Sequence, residues 1–162
     1  MADPNELRNL LKSLGEKLGF NPKAEVEASE SAWVDIVWFD KRFPLPAKAL
    51  KMRYAPVLPV VGFEIERKTG LDAKHVKGSV SNLSNLGAQL GVIVIGEANF
   101  EYLQNTRSWK NKGKATVIKE LRDRIYRWVY AEAQPRVRII VMFEHEVRKW
   151  AIDLQPPVGT AP

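Results

Sequence analysis

The chain contains no cysteine, and that absence excludes disulfides, thiolate metal sites and thiol nucleophiles together. Histidine is almost as scarce. His75 and His145 are the only two and lie far apart in sequence, too few and too scattered for a zinc centre. His145-Glu146 does not complete a zinc-protease motif, because no second histidine follows four positions later. No apolar run approaches the ~20 residues needed to cross a bilayer, and the first residues are polar where a secretory leader would be apolar. The expectation is a soluble, cytoplasmic protein without a membrane partner. Internal repeats, a glycine-rich phosphate loop of the Walker type and a nucleophile elbow are also missing.

What the chain does have is positive charge. Its 162 residues carry 25 Lys and Arg against 19 Asp and Glu, a formal net charge of +6, with 45% hydrophobic content. That content suits one compact domain burying roughly 70% of its unfolded surface, assigned to residues 1–154 with a flexible tail over 155–162. A basic balance points to a polyanionic partner without separating nucleic acid from an anionic membrane surface. The charge is concentrated. Between Asn105 and Arg127 stand eight cations, Arg107, Lys110, Lys112, Lys114, Lys119, Arg122, Arg124 and Arg127, against Glu120 and Asp123, an excess equal to that of the whole chain. Part of this segment reads as a helix with Val117, Leu121, Ile125, Trp128 and Val129 inward and the basic side chains outward. With Trp109 beside it, this face reads either as a phosphate-contacting surface or as an ordinary solvated helix face.

The first helix is announced by Asp3-Pro4-Asn5-Glu6, with Asp3 as cap, Pro4 at the first helical position and Glu6 as either the acid of a capping box or a carboxylate leaning toward a site. Leu7, Leu10, Leu11, Leu14 and Leu18 continue it at helical spacing to Gly19. Short alternation over 24–28 gives a strand, and the aromatic run Trp33–Phe39 a more central one. Residues 40–59, with four prolines and five basic residues, exclude a central strand and predict a basic excursion. Val60–Lys68 begins as a buried strand. Asp72 then caps a helix striped by Val76, Val80 and Leu83, and Gly91–Gly96 reads as a fully buried strand parallel to the one before it. Residues 136–143 form a last strand, and 144–154 are either a short helix or an edge strand.

Two places in this plan carry unexpected charge. Asp35 is the one acid inside an aromatic strand, costly there unless it is paired or bound to a cation. Glu64 and Glu66 share one face of the following strand, with Lys68 next on that face if the strand continues. Carboxylates so spaced lie roughly 6–7 Å apart, and near an apolar interior their repulsion is weakly screened. A divalent cation relieves it; a solvated sheet face is the alternative.

Helix, strand, strand, strand, helix, strand, with Asp35 on the second strand and Glu64-Ile65-Glu66 on the third, resembles the αβββαβ core of the restriction-endonuclease-like superfamily, whose signature is written PD-(D/E)xK. The opening helix ending in Leu18-Gly19-Phe20 also resembles the start of archaeal Holliday-junction resolvases of that superfamily. The resemblance implies an α/β fold with a mixed central sheet, extended here by the C-terminal basic helix and strand, and a metal-dependent nuclease acting on DNA or another nucleic acid. Asp35 matches the first metal-binding acid and Glu64 the (D/E) position; Glu66 then stands where most members have lysine, and Val34 replaces the signature proline. The other register, Glu66-Arg67-Lys68, supplies acid and lysine directly.

Carried over in this way, Asp35, Glu64 and Glu66 are the candidate ligands of Mg²⁺ or Mn²⁺, with Glu66 or Lys68 orienting or deprotonating the attacking water. Lys77 is a candidate for steadying the phosphate, and Lys110, Lys112, Lys114, Lys119 and Arg122 for holding the nucleic acid. A homodimer addressing two strands is compatible with the resemblance. So is a protein that keeps the fold and binds nucleic acid without cleaving it.

Overall fold

The computed structural model describes residues 3, 5–42, 58–67, 69–131 and 136–155. In chain order these form α1 (Glu6–Lys17), β1 (Phe20–Ser29), β2 (Ala32–Asp40), β3 (Pro59–Glu66), α2 (Ala73–Leu86), β4 (Leu90–Ile95), α3 (Glu97–Gln104), α4 (Lys114–Tyr130), β5 (Arg138–Phe143) and α5 (Glu144–Asp153). The five strands make one mixed sheet in the order β1-β2-β3-β4-β5. β1 and β3 pair antiparallel with β2, while β3, β4 and β5 are mutually parallel, so β2 alone runs against the others. The fold is α/β, with the predicted parallel pair at β3 and β4. The predicted excursion at 40–59 falls largely outside the described residues.

Each face of the sheet is covered by helices chosen by their apolar stripes. Leu7, Leu11 and Leu14 of α1, with Val147 and Ala151 of α5, pack on Ile36, Trp38, Phe63, Val92 and Val94. On the other face Val76 and Leu83 of α2, with Val117, Leu121, Ile125 and Val129 of α4, pack on Val37, Phe39, Ile93 and Ile95. The alternation of buried residues over Ile36–Phe39 of β2 and Val92–Ile95 of β4 between these two cores is the two-residue period of a strand buried on both sides. α2 lies unusually close to the sheet. A Cβ at Gly62 would come within 2.8 Å of Leu83, and one at Gly91 within 2.9 Å of Leu83, so these two glycines allow the helix to settle onto β3 and β4 and bring its polar residues down to strand level.

One local expectation is corrected, one unassigned stretch is filled and one open alternative is decided. The cap of α1 is Asn5, whose side chain makes no capping bond; Asp3 Oδ1 accepts the Asn5 N–H at 2.9 Å, and Glu6 takes neither predicted role but accepts from Arg148 Nη1 at 2.8 Å. Residues 97–104, unassigned from the sequence, form α3, held by buried Phe100 and Leu103. Residues 144–153 settle as helix α5, whose Glu146 Oε2 accepts the Phe143 N–H at 2.9 Å.

Candidate active site

The site begins where the sheet loses its regularity. Positions two apart on a flat strand share a face, yet Val34 joins the core under α2 while Ile36 joins the core under α1. β2 therefore turns over at Asp35. Its neighbour β1 does the same: Glu25, between the pairs Ala24–Ile36 and Val26–Val34, has φ +52° and is the one non-glycine residue with positive φ among the described residues. The outer end of the β1–β2 ribbon thus leans over α2, and Asn82 Nδ2 lies 3.4 Å from the Trp33 carbonyl oxygen.

Turning over parts β2 from β3. Their ladder ends at Ile36–Phe63, one step short of Asp35 and Glu64. Asp35 fills the opening: Oδ2 accepts the Ile65 N–H at 2.8 Å and Oδ1 accepts from Arg8 Nη2 of α1. The same guanidinium reaches Glu25 Oε1 through Nη1 at 2.9 Å. Glu64 lies on the α2 side and is 7% exposed, with Oε1 accepting from Asn82 Nδ2 at 2.8 Å. Burial pushes its carboxyl up to about 8; the Asn82 amide opposes this, and contact with Asp35 and the charge of Glu66 reinforce it. Glu66 turns to α2, where Ser79 Oγ donates to its Oε1 at 2.6 Å. Beyond these acids opens a cleft of about 670 Å³ whose walls include Glu64, Glu66, Arg67, Lys74, His75 and Ser79.

A carboxyl kept protonated beside a second carboxylate is a place where a cation can replace a proton. Among the described residues no three Asp, Glu or His side chains group closely enough to hold an ion unaided. The donors on offer are the pair Asp35 and Glu64. Hard oxygen donors of that number fit Mg²⁺, which keeps several waters and is commonly held by one or two carboxylates together with substrate phosphate.

The structure sorts the sequence candidates. Asp35 and Glu64 come together, the arrangement the first register requires; Glu66 is drawn toward Ser79, and Lys68 lies outside the described residues. Lys77 is half-buried on α2 and is not among the residues lining the cleft, where Lys74 and His75 stand instead. Four of the eight cations of the basic segment stand beside acids. Lys112 pairs with Glu120 at 2.6 Å, Lys119 with Asp123 at 3.0 Å and Arg122 with Glu146, while Lys114 stands 3.7 Å from Glu97. Lys110 is exposed. Trp109 is not a surface aromatic: it is buried, donates through Nε1 to Glu120 at 3.0 Å and carries Arg124 over its ring.

Sequence reasoning missed Arg8, Ser79 and Asn82 as parts of the site. Ser79 and Asn82 did carry a signal, being polar residues three apart on one helix face directly after the Glu64–Glu66 strand. Arg8 carried none, since a charged residue between leucines of an amphipathic helix is the ordinary pattern.

No protein-family model matches the chain, and no curated protein matches its sequence.

Proposed function

We propose that this chain is a metal-dependent nuclease that hydrolyses phosphodiester bonds, with DNA as its substrate. The observation that carries the proposal is the juxtaposition of Asp35 with buried Glu64 where β2 and β3 part. A structural ion pair would set a cation against a buried acid; here the charges that act on Glu64 are two more acids, Asp35 and Glu66. Supporting it, the chain runs helix, three antiparallel strands, helix, parallel strand, the element order of the restriction-endonuclease-like core.

Asp35 and Glu64 would hold Mg²⁺ or Mn²⁺. Such an ion supplies charge neutralisation at the phosphoryl group and a lowered pKa for bound water. The chain's own residues do the rest. Asn82 fixes the Glu64 carboxylate, and the Ile65 N–H fixes that of Asp35. Glu66, oriented by Ser79, accepts a proton from the attacking water, and Lys74 at the cleft wall draws in phosphate. No helix among the described residues is long and apolar enough to cross a membrane.

A binding protein without catalysis is the second reading, favoured by Arg8, whose guanidinium already neutralises Asp35, and by a glutamate at the usual lysine position. The two readings separate on labelled single-stranded, duplex and branched DNA incubated with Mg²⁺ or Mn²⁺ against EDTA. Cleavage abolished by EDTA, by Asp35→Ala and by Glu64→Ala, with gel retention intact in both variants, is the expected result. Retention of every substrate without cleavage in either metal would sink the nuclease reading.

A further inference from the structure

On the outer side of Asp35, away from the Glu64–Glu66 cleft, lies a second cavity of about 270 Å³ lined by Arg8, Glu25, Trp33, Val34 and Asp35. Its chemistry is unlike that of a phosphate site. Two carboxylates face one guanidinium, so the net charge repels an anion. Both Asp35 oxygens are committed, to Arg8 and to the Ile65 N–H. Glu25 commits only Oε1, on a side chain 65% exposed, and leaves one carboxylate oxygen without a partner among the described residues. Its backbone is held at φ +52°, a conformation unfavourable for a residue with a Cβ, and that kink sets the carboxylate against Arg8. At the rim Trp33 is 55% exposed, while the other four tryptophans are buried or half-buried.

We infer that this cavity receives one unstacked nucleobase of a nucleic-acid strand, guanine best. The indole of Trp33 offers a stacking face. Glu25, an acceptor only, takes N–H donors from the base edge. Guanine presents an imino and an amino donor side by side, cytosine and adenine present one amino group, and thymine presents a single imino group flanked by two repelling carbonyls. Arg8 acts as the strut that holds the reading carboxylate, Glu25, at a fixed distance from the acid beside the cleft, Asp35. Because Asp35 lines this cavity and its carboxyl contacts Glu64 in the wall of the cleft, a base seated here places its own strand across the acid pair. The substrate class is therefore a strand with an unpaired nucleotide next to the phosphate in the cleft: a flap, junction, gap or single strand rather than continuous duplex. The inference rests on the nucleic-acid part of the reading above and not on cleavage.

The test uses the full chain in EDTA at low salt. Intrinsic fluorescence is titrated with a six-residue thymidine strand and with the same strand carrying one central guanine, while gel retention of a blunt duplex is followed in parallel. A saturable quench is expected, with the guanine strand bound about fivefold or more tighter. Followed by anisotropy of a labelled guanine strand, Trp33→Ala weakens binding about tenfold, as loss of one base–aromatic stack does. Trp33→Phe restores most of it, and Glu25→Gln removes the preference for guanine. Equal quenching by both strands, or unchanged binding by Trp33→Ala, overturns the inference. If duplex is retained while neither strand quenches, the base pocket falls and the nucleic-acid reading stands; if nothing is retained, both fall.

Discussion

Asn82 donates through Nδ2 to Glu64 Oε1 at 2.8 Å, tying the middle of α2 to the most buried acid of β3. It opposes the rise in the Glu64 pKa that burial and the neighbouring acids cause. Asn82→Ala removes that opposition, so the carboxyl holds its proton to still higher pH. Since cation binding needs the ionised form, the rising limb of the cleavage pH profile should move up by about one pH unit, the size of one hydrogen bond to a charged group. An unmoved limb with a uniformly lower rate would show that Asn82 only supports the ribbon through the Trp33 carbonyl.

Glu64 also makes folding stability depend on pH. Its carboxyl is raised from an ordinary 4.5 to about 8, so the native state binds this proton more tightly than the unfolded state does. The stabilisation is whole below about pH 4.5 and is lost as pH rises through about 8, reaching on the order of 5 kcal/mol in the metal-free protein. Glu64→Gln cannot ionise and should not show this loss, making it the more stable protein in EDTA at pH 8 and not at pH 4.5. Adding Mg²⁺ at pH 8 should raise the unfolding midpoint of the wild type and leave that of Glu64→Gln unchanged. Parallel pH–stability curves for the two proteins in EDTA would exclude the raised carboxyl.

How far the sequence could reveal this arrangement depends on the period of each signal. The leucines of α1, the valines and isoleucines of β4 and the Asp72 cap of α2 are local patterns, and all appear where periodicity and capping rules put them. α3 escaped because its eight residues bury only two apolar side chains and its first N–H is met by distant Glu144, at 2.7 Å, rather than by a local cap. The acids were legible because charge in an apolar strand is conspicuous. Their partners were not: Arg8 and Asp35 stand 27 positions apart, and nothing local marks a pair made by packing. The pairing within the basic segment was hidden in part for a related reason, since two of its acidic partners, Glu97 and Glu146, come from other helices.

That internal pairing bears on nucleic-acid affinity. Arg122, on Glu146 and over the Phe143 ring, is committed to joining α4 to the start of α5. Arg122→Gln should therefore lower thermal stability while leaving the salt dependence of DNA retention close to wild type. Lys110 is exposed, and Lys110→Gln should do the reverse, reducing the slope of log affinity against log salt by about one. Equal slopes for wild type and Lys110→Gln would place the phosphate track away from this segment.

Arg8 decides between the two readings of the site. Its guanidinium and the Asp35 carboxylate are each about one-fifth exposed, so the pair is shielded enough that breaking it matters, though less than in a dry core. Arg8→Ala should cost about 2 kcal/mol in the metal-free protein, below the 3–5 kcal/mol of a fully buried pair, because Asp35 keeps only the Ile65 N–H. With the guanidinium gone, Asp35 and Glu64 offer a cation an uncontested pair of carboxylates. Mg²⁺ should then raise the unfolding midpoint of Arg8→Ala more than that of the wild type at equal ionic strength. In a protein that only binds nucleic acid, Arg8 is the permanent counter-ion of Asp35, and its loss would lower stability in a way that Mg²⁺ does not repair. Thermal unfolding of both proteins with and without the ion separates the two directly, since the readout requires no substrate.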